Sequence, residues 1–193
     1  MEKAPDLIRD LVASRSGSPR QIVGITGPVG AGKSTLAREL TRPAGIIVAT
    51  DDYLPDYSDL PEHERDDPKH ADLDALATHL AQLRLGMTVE SPVWCFKEHR
   101  RVATRRIEPA MLIVCEGIHA FDPRVRQMLD VAVYVEAPAD QRWRRWEAIE
   151  RAGERGWGIE RARQFFEGVA EPTFAHVSER WRASADVVVV NPG

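Results

Sequence analysis

Cysteine is scarce. The 193-residue chain carries two, Cys95 and Cys115, which excludes a disulfide framework and leaves no paired-cysteine metal motif. Cys115 lies inside the apolar run MLIVCE, where a reduced core thiol is expected. Long hydrophobic stretches are missing as well: nothing approaches the roughly 18 consecutive apolar residues of a membrane span. The opening MEKAPDLIRDLVASRSGSPR offers no apolar core for a signal peptide. A soluble, cytoplasmic protein without a membrane partner is therefore expected. Charge of one sign is not in large excess either. A formal net charge of −4 gives no global attraction to nucleic acid, and no nucleic-acid partner is expected. There is no internal repeat and no low-complexity tract.

What is present, 43% hydrophobic and 29% charged residues over this length, fits one domain with a real core. Continuous β-branched runs stand at 21–26, 45–50, 111–116, 131–136 and 186–190, the signature of strands buried on both faces. Helical spacing appears after Lys33, over 71–85, and over about 139–153, 158–169 and 173–182, with a short helix expected in PDLIRDLVAS. This alternation predicts an α/β fold, a parallel, doubly wound sheet between helical layers. Two segments interrupt it. Residues 51–70 carry three prolines and many charges and read as a long functional loop, while 92–108 read as a hairpin.

Gly27-Pro28-Val29-Gly30-Ala31-Gly32-Lys33-Ser34 has the spacing G-x-x-x-x-G-K-[ST] between a predicted strand and a predicted helix. Glycines let successive backbone N–H groups turn toward phosphate oxygens, and the helix N-terminus adds a favourable dipole. Gly27, Val29, Gly30, Ala31, Gly32, Lys33, Ser34 and Thr35 are the expected nucleotide contacts, with Lys33 on the outer phosphates and the Ser34 hydroxyl on Mg²⁺. ATP is the expected donor. Glu116, closing the strand MLIVCE, is a candidate for the metal shell. Asp51, directly after the run ending at Thr50, should emerge at the carboxyl edge of the sheet. It is the candidate base for an acceptor hydroxyl and a candidate neighbour of the metal. Its neighbour Asp52 is expected to point away. The N/T-K-x-D motif of guanine-specific GTPases is absent, as is an Asp-Glu pair after the LIVCEG strand. Transfer to a small acceptor thus leads.

Arginines crowd into QRWRRWEAIERAGER among Glu147, Glu150 and Glu154, and composition alone favours a solvated, salt-bridged helix face. Trp143, Trp146 and Trp181 read as helix packing.

Together these residues resemble the uridine kinase branch of the phosphoribulokinase/uridine kinase family, from about residue 20 onward. The likeness lies in the phosphate loop, TDDYL, DDPKHADLDALATHLAQLRLGMTVESPVW, CEGIHAF and the RR…ERG lid, in that order. It implies a P-loop NTPase-type three-layer fold with a small lid near 144–158. It implies Asp51 as base, Ser34 and Glu116 near Mg²⁺, Asp66 on sugar hydroxyls, and Trp94, Phe96 and His99 around a base. Arg145 and Arg155 would close over the phosphates, so some of the crowded arginines are clamps rather than a solvated face. The implied reaction is phosphorylation of the 5′-hydroxyl of uridine or cytidine. Where the family usually has Tyr-Asp, this chain has Trp94-Cys95, and Arg65 and Asp67 replace an aromatic and a histidine. TDDYL is also similar to the Asp-Gly-Phe-Leu block of bacterial pantothenate kinases. Pantothenate, nicotinamide riboside or a sugar phosphate therefore stay open as acceptors, and an ATP-binding regulator without transfer is the rival of another class. Oligomeric state is left open.

Overall fold

Alternate residues along each buried strand serve opposite faces of one sheet, and the computed structural model, which describes residues 3–15 and 17–192, shows both faces covered. In β1 (Gln21–Thr26), Ile22 joins the core on one side while Val23 and Ile25 join that on the other. In β6 (Val131–Glu136), Ala132 and Tyr134 face the first side and Val131, Val133 and Val135 the second. The remaining strands are β2 (Ile46–Ala49), β5 (Leu112–Glu116) and β7 (Val187–Val190). All pair in parallel in the order β2-β5-β1-β6-β7. Successive strands thus lie on both sides of β1, which places a ligand-binding crevice at its carboxyl end.

One face is covered by α3 (Leu73–Arg84), whose Leu73, Leu76, Leu80 and Leu83 are fully buried and whose first turn is capped by Asp72. The other is covered by α2 (Lys33–Leu40) and by α1 (Ala4–Ser14), the short helix expected near the N-terminus. Ile8 of α1 is fully buried with Leu36 and Leu40, and Arg9 donates to the Glu39 carbonyl.

The expected hairpin forms as β3 (Val89–Cys95) and β4 (Arg100–Ile107), antiparallel and outside the main sheet. The loop 51–70 is built from short 3-10 turns at Thr50–Tyr53, Tyr57–Asp59 and Glu62–Glu64. A single turn of helix, α4 (Pro123–Arg126), precedes β6. The C-terminal helices differ from expectation. After α5 (Ala139–Arg151), α6 (Ile159–Phe165) runs through a π-helical stretch, Phe166–Ala170, straight into α7 (Glu171–Ala183). Pro172 lacks an N–H, and the Glu171 N–H reaches back to the Phe166 carbonyl, so the widened turn carries the helix past the proline instead of ending it.

Candidate active site: a phosphate loop, an acidic edge and an aromatic pocket

Between β1 and α2 the chain turns through three glycines at positive φ, Gly27 (147°), Gly30 (74°) and Gly32 (103°). Space forces the first two as much as torsion: a Cβ on Gly27 would stand 2.0 Å from the Val135 carbonyl oxygen, and one on Gly30 2.6 Å from that of Arg142. Lys33 opens α2 and is buried, its Nζ donating to the Pro28 carbonyl at 2.9 Å, across the loop it belongs to. Burial pulls the Lys33 pKa down, and the carboxylates of Glu116 and Asp51 oppose that pull.

Glu116 ends β5 beside this loop. Ser34 Oγ donates to its Oε1 at 2.9 Å. Burial, and then the negative charge of Asp51, raises the Glu116 pKa. Asp51 and Asp52 sit in the turn that follows β2 and diverge. Asp52 is buried against the hairpin, accepting from the Trp94 N–H at 3.1 Å and from Arg105 at 2.8 Å. Asp51 borders two cavities. The larger, a cleft of about 1510 Å³, runs along Gly30, Gly32, Lys33, Ser34, Thr35, Glu116 and Arg145. The smaller, about 500 Å³, is lined by Asp66, Tyr57, Trp94, Phe96, His99, Trp146, Trp157 and Phe165. Arg155 belongs to both.

The arginines of α5 and of the turn after it divide by surroundings. Arg145 Nη1 donates to the Gly30 and Ala31 carbonyls at 3.0 and 3.3 Å, so it stands on the phosphate loop itself. Arg155 lies over the rings of Phe96 and Trp146, 4.4 and 4.8 Å from their centroids. Arg144 and Arg151 are exposed and pair along the helix with Asp140 and Glu147, as a solvated face should. Arg142, unremarked in the sequence, is buried and forks onto Glu171.

Asp66 is half-buried and accepts from the Tyr57 hydroxyl at 3.3 Å. Burial and the nearby Asp51 charge push its pKa up to about 6. Trp94 is a wall rather than a platform: its Nε1 donates to the Pro55 carbonyl, and its ring meets Tyr57, Phe96 and His99 edge-on. His99 lies near-parallel to Trp157 at 4.8 Å and to Tyr57 at 5.9 Å, and those two rings approach each other at 6.4 Å.

Tyr57 and Trp157 were not singled out in the sequence, Trp146 was read only as packing, and Glu150 was expected on a solvated helix face but is buried, because it accepts from three N–H groups. Trp146 does pack, yet it also borders the pocket and carries Arg155. Glu150, buried in α5, accepts from Trp146 Nε1 and from the backbone N–H groups of Trp157 and Gly158, each at 3.2 Å. The i, i+4 spacing of Trp146 and Glu150 was the available signal; Tyr57 and Trp157, in loops, gave none.

A parallel sheet of this order, with a lysine-bearing glycine loop and a second, aromatic pocket at its carboxyl edge, defines a P-loop phosphotransferase. The chain belongs to the Phosphoribulokinase / Uridine kinase family, whose model matches residues 59–192. It is 37% identical over 182 residues to a uridine kinase of Halobacterium salinarum, covering 89% of this chain and 80% of that protein. It is 33% identical over 182 residues to a uridine kinase of Clostridium perfringens, covering 89% and 87%. In fold it is similar to the solved structure of a "Possible Uridine Kinase" from Bacillus stearothermophilus, with TM-score 0.66, 20% identity and 97% and 98% of the two chains covered. The chain is thus a kinase with a hydroxyl acceptor, and no helix among its described residues is long and apolar enough to cross a membrane.

Proposed function

We propose that this kinase transfers the γ-phosphoryl group of ATP to the 5′-hydroxyl of a pyrimidine nucleoside, uridine or cytidine. The observation that carries this reading is the position of Asp51 on both cavities. From there one carboxylate faces an acceptor hydroxyl and the phosphate cleft together, which in-line transfer requires of a base. The names of the relatives support the nucleoside, and the aromatic lining suits a flat heterocycle.

In this reading the loop amides and Lys33 hold the donor phosphates. Asp51 accepts the proton of the acceptor O–H as its oxygen bonds to the γ-phosphorus, the bond to the β–γ bridging oxygen breaks, and ADP leaves with that electron pair. Arg145 and Arg155 face the transferring group with positive charge. Asp66 holds sugar hydroxyls, and Trp94, Phe96 and His99 border the base. The donor set also suits Mg²⁺, which takes one or two protein oxygens and fills its shell with phosphate and water. Ser34 and Glu116, bonded to each other beside Lys33, would hold it, with Asp51 in the outer shell. When bound, the metal neutralises phosphate charge.

The test is ADP release from ATP and Mg²⁺ with uridine, cytidine, nicotinamide riboside, pantothenate and ribulose 5-phosphate offered in turn. Turnover with uridine or cytidine is expected. Silence with both, beside turnover with another member of the panel, would move the acceptor assignment there.

A further inference from the structure

The cleft and the aromatic pocket do not use up the space at this edge of the sheet. Beside them lies a third cavity of about 380 Å³, which shares Val29, Asp66 and Ile118 with the aromatic pocket. That volume is in the range of small-molecule sites and far exceeds the share of one water. One of its sides is a face of α7. Phe174, Val177 and Trp181 stand there at i, i+3 and i+7, the spacing of a single helix stripe, and the rings of Phe174 and Trp181 meet edge-on at 5.7 Å. Trp181 therefore packs, as its place in the sequence suggested, and borders a cavity as well. Pro68 extends the apolar surface.

Thr173 and His119 are the polar members of this lining besides Asp66. His119 stands in the turn between β5 and α4, 2% exposed, and its Nε2 is buried without a hydrogen-bond partner among the described residues. Burial pushes its pKa down to about 4, against the charges of Asp51 and Asp122, so the ring is uncharged at neutral pH. A neutral imidazole has one N–H to donate and one bare nitrogen to accept. Leaving such an atom buried and unpaired is costly, and nothing in the phosphoryl transfer above uses this side chain. No lysine or arginine lines the cavity. An anion entering it would meet the Asp66 carboxylate with no cation to offset the repulsion, which excludes nucleotides and phosphorylated products.

We infer that this cavity is a second small-molecule site, beside the acceptor pocket, for an uncharged molecule with an apolar, ring-sized body and one hydrogen-bonding head that pairs with His119. The body lies against Phe174, Val177 and Trp181, and the head supplies the partner that the protein does not. The site is independent of which acceptor the kinase takes.

Phenol, toluene and benzoate test it as a series: one ring, bearing in turn a hydroxyl, a methyl group and a negative charge. Nitrogen-15 NMR of imidazole-labelled protein follows His119 and His99 together, and ligand-observed NMR gives the affinities. Phenol is expected to shift the His119 resonances at about millimolar concentration. Toluene should bind about tenfold more weakly, the weight of one net hydrogen bond, and benzoate should leave the resonances in place. In His119→Leu the advantage of phenol over toluene disappears. Val177→Phe, which fills the cavity from α7, removes both ligands. Shifts confined to His99 would seat phenol in the aromatic pocket, equal affinities for phenol and toluene would deprive His119 of its part, and a silent His119 would leave the cavity to water. Each of these outcomes overturns the inference, and the series on the unsubstituted protein decides them even where a variant does not fold.

Discussion

Asp51 and Asp52 are chemically identical neighbours with opposite surroundings. Asp52 is bound to a backbone N–H and a guanidinium, whereas Asp51 faces both cavities. If Asp51 is the base, Asp51→Asn lowers kcat by about 10²–10⁴-fold, the usual weight of general base catalysis. ATP affinity, read by calorimetry, stays within about threefold because the loop amides and Lys33 are untouched. Near-normal turnover would remove Asp51 from the role. Asp66 makes a prediction about pH. Its carboxyl is pushed up to about 6 by burial and by the Asp51 charge. Below that value it is protonated and accepts hydroxyl hydrogen bonds poorly; above it the carboxylate accepts them well. The acceptor kcat/KM therefore rises with pH through about 6 in wild type, and Asp66→Asn abolishes that ascending limb. A limb that persists in Asp66→Asn would assign the titration elsewhere.

At the scale of elements, a buried acid fastens the hairpin and another fastens the turn after α5. Asp52 ties β3 and β4 to the turn after β2. Asp52→Ala leaves the Trp94 N–H without its partner and should cost about 1–3 kcal/mol, a thermal midpoint lower by several degrees. An unchanged midpoint would mean that water replaces the carboxylate. Glu150 ties the turn at Trp157 and Gly158 to α5. In Glu150→Ala, KM for the acceptor rises severalfold while ATP affinity holds, because the phosphate loop does not touch Glu150. These fasteners mark the limit of what could be read beforehand. The strands and α3 followed from continuous apolar runs and helical spacing, since burial on two faces or one leaves a pattern in the chain; the hairpin, whose second strand is almost wholly exposed, followed from two arms flanking a charged turn. The glycine loop followed from a motif whose torsions and close contacts admit little else. Tyr57 and Trp157 converge from loops 100 residues apart, and no local pattern encodes such a meeting. The merging of α6 with α7 was hidden because Pro172 ordinarily signals a stop, and the π-helical turn that overrides it is a matter of packing.

For the whole molecule, the consequence of this fold is that the phosphate cleft and the aromatic pocket share a wall. Val29, Asp51, Phe96, Ile118 and Arg155 border both. A ligand that settles Arg155 and Phe96 on one side orders the surface that a second ligand meets on the other, so the later ligand loses less freedom on binding. Binding should therefore be cooperative in both directions. A non-hydrolysable ATP analogue is expected to tighten the acceptor nucleoside by about fivefold or more, and by linkage the nucleoside must tighten the analogue by the same factor. Calorimetric titrations in both orders measure the two factors independently. Arg155→Ala removes the guanidinium from the shared wall and should bring both toward one, while Arg144→Ala, on the solvated face of α5, should leave them unchanged. Equal affinities with and without the other ligand would show that the cavities act independently, and Arg155 would then lose its place as the group that links phosphate to acceptor.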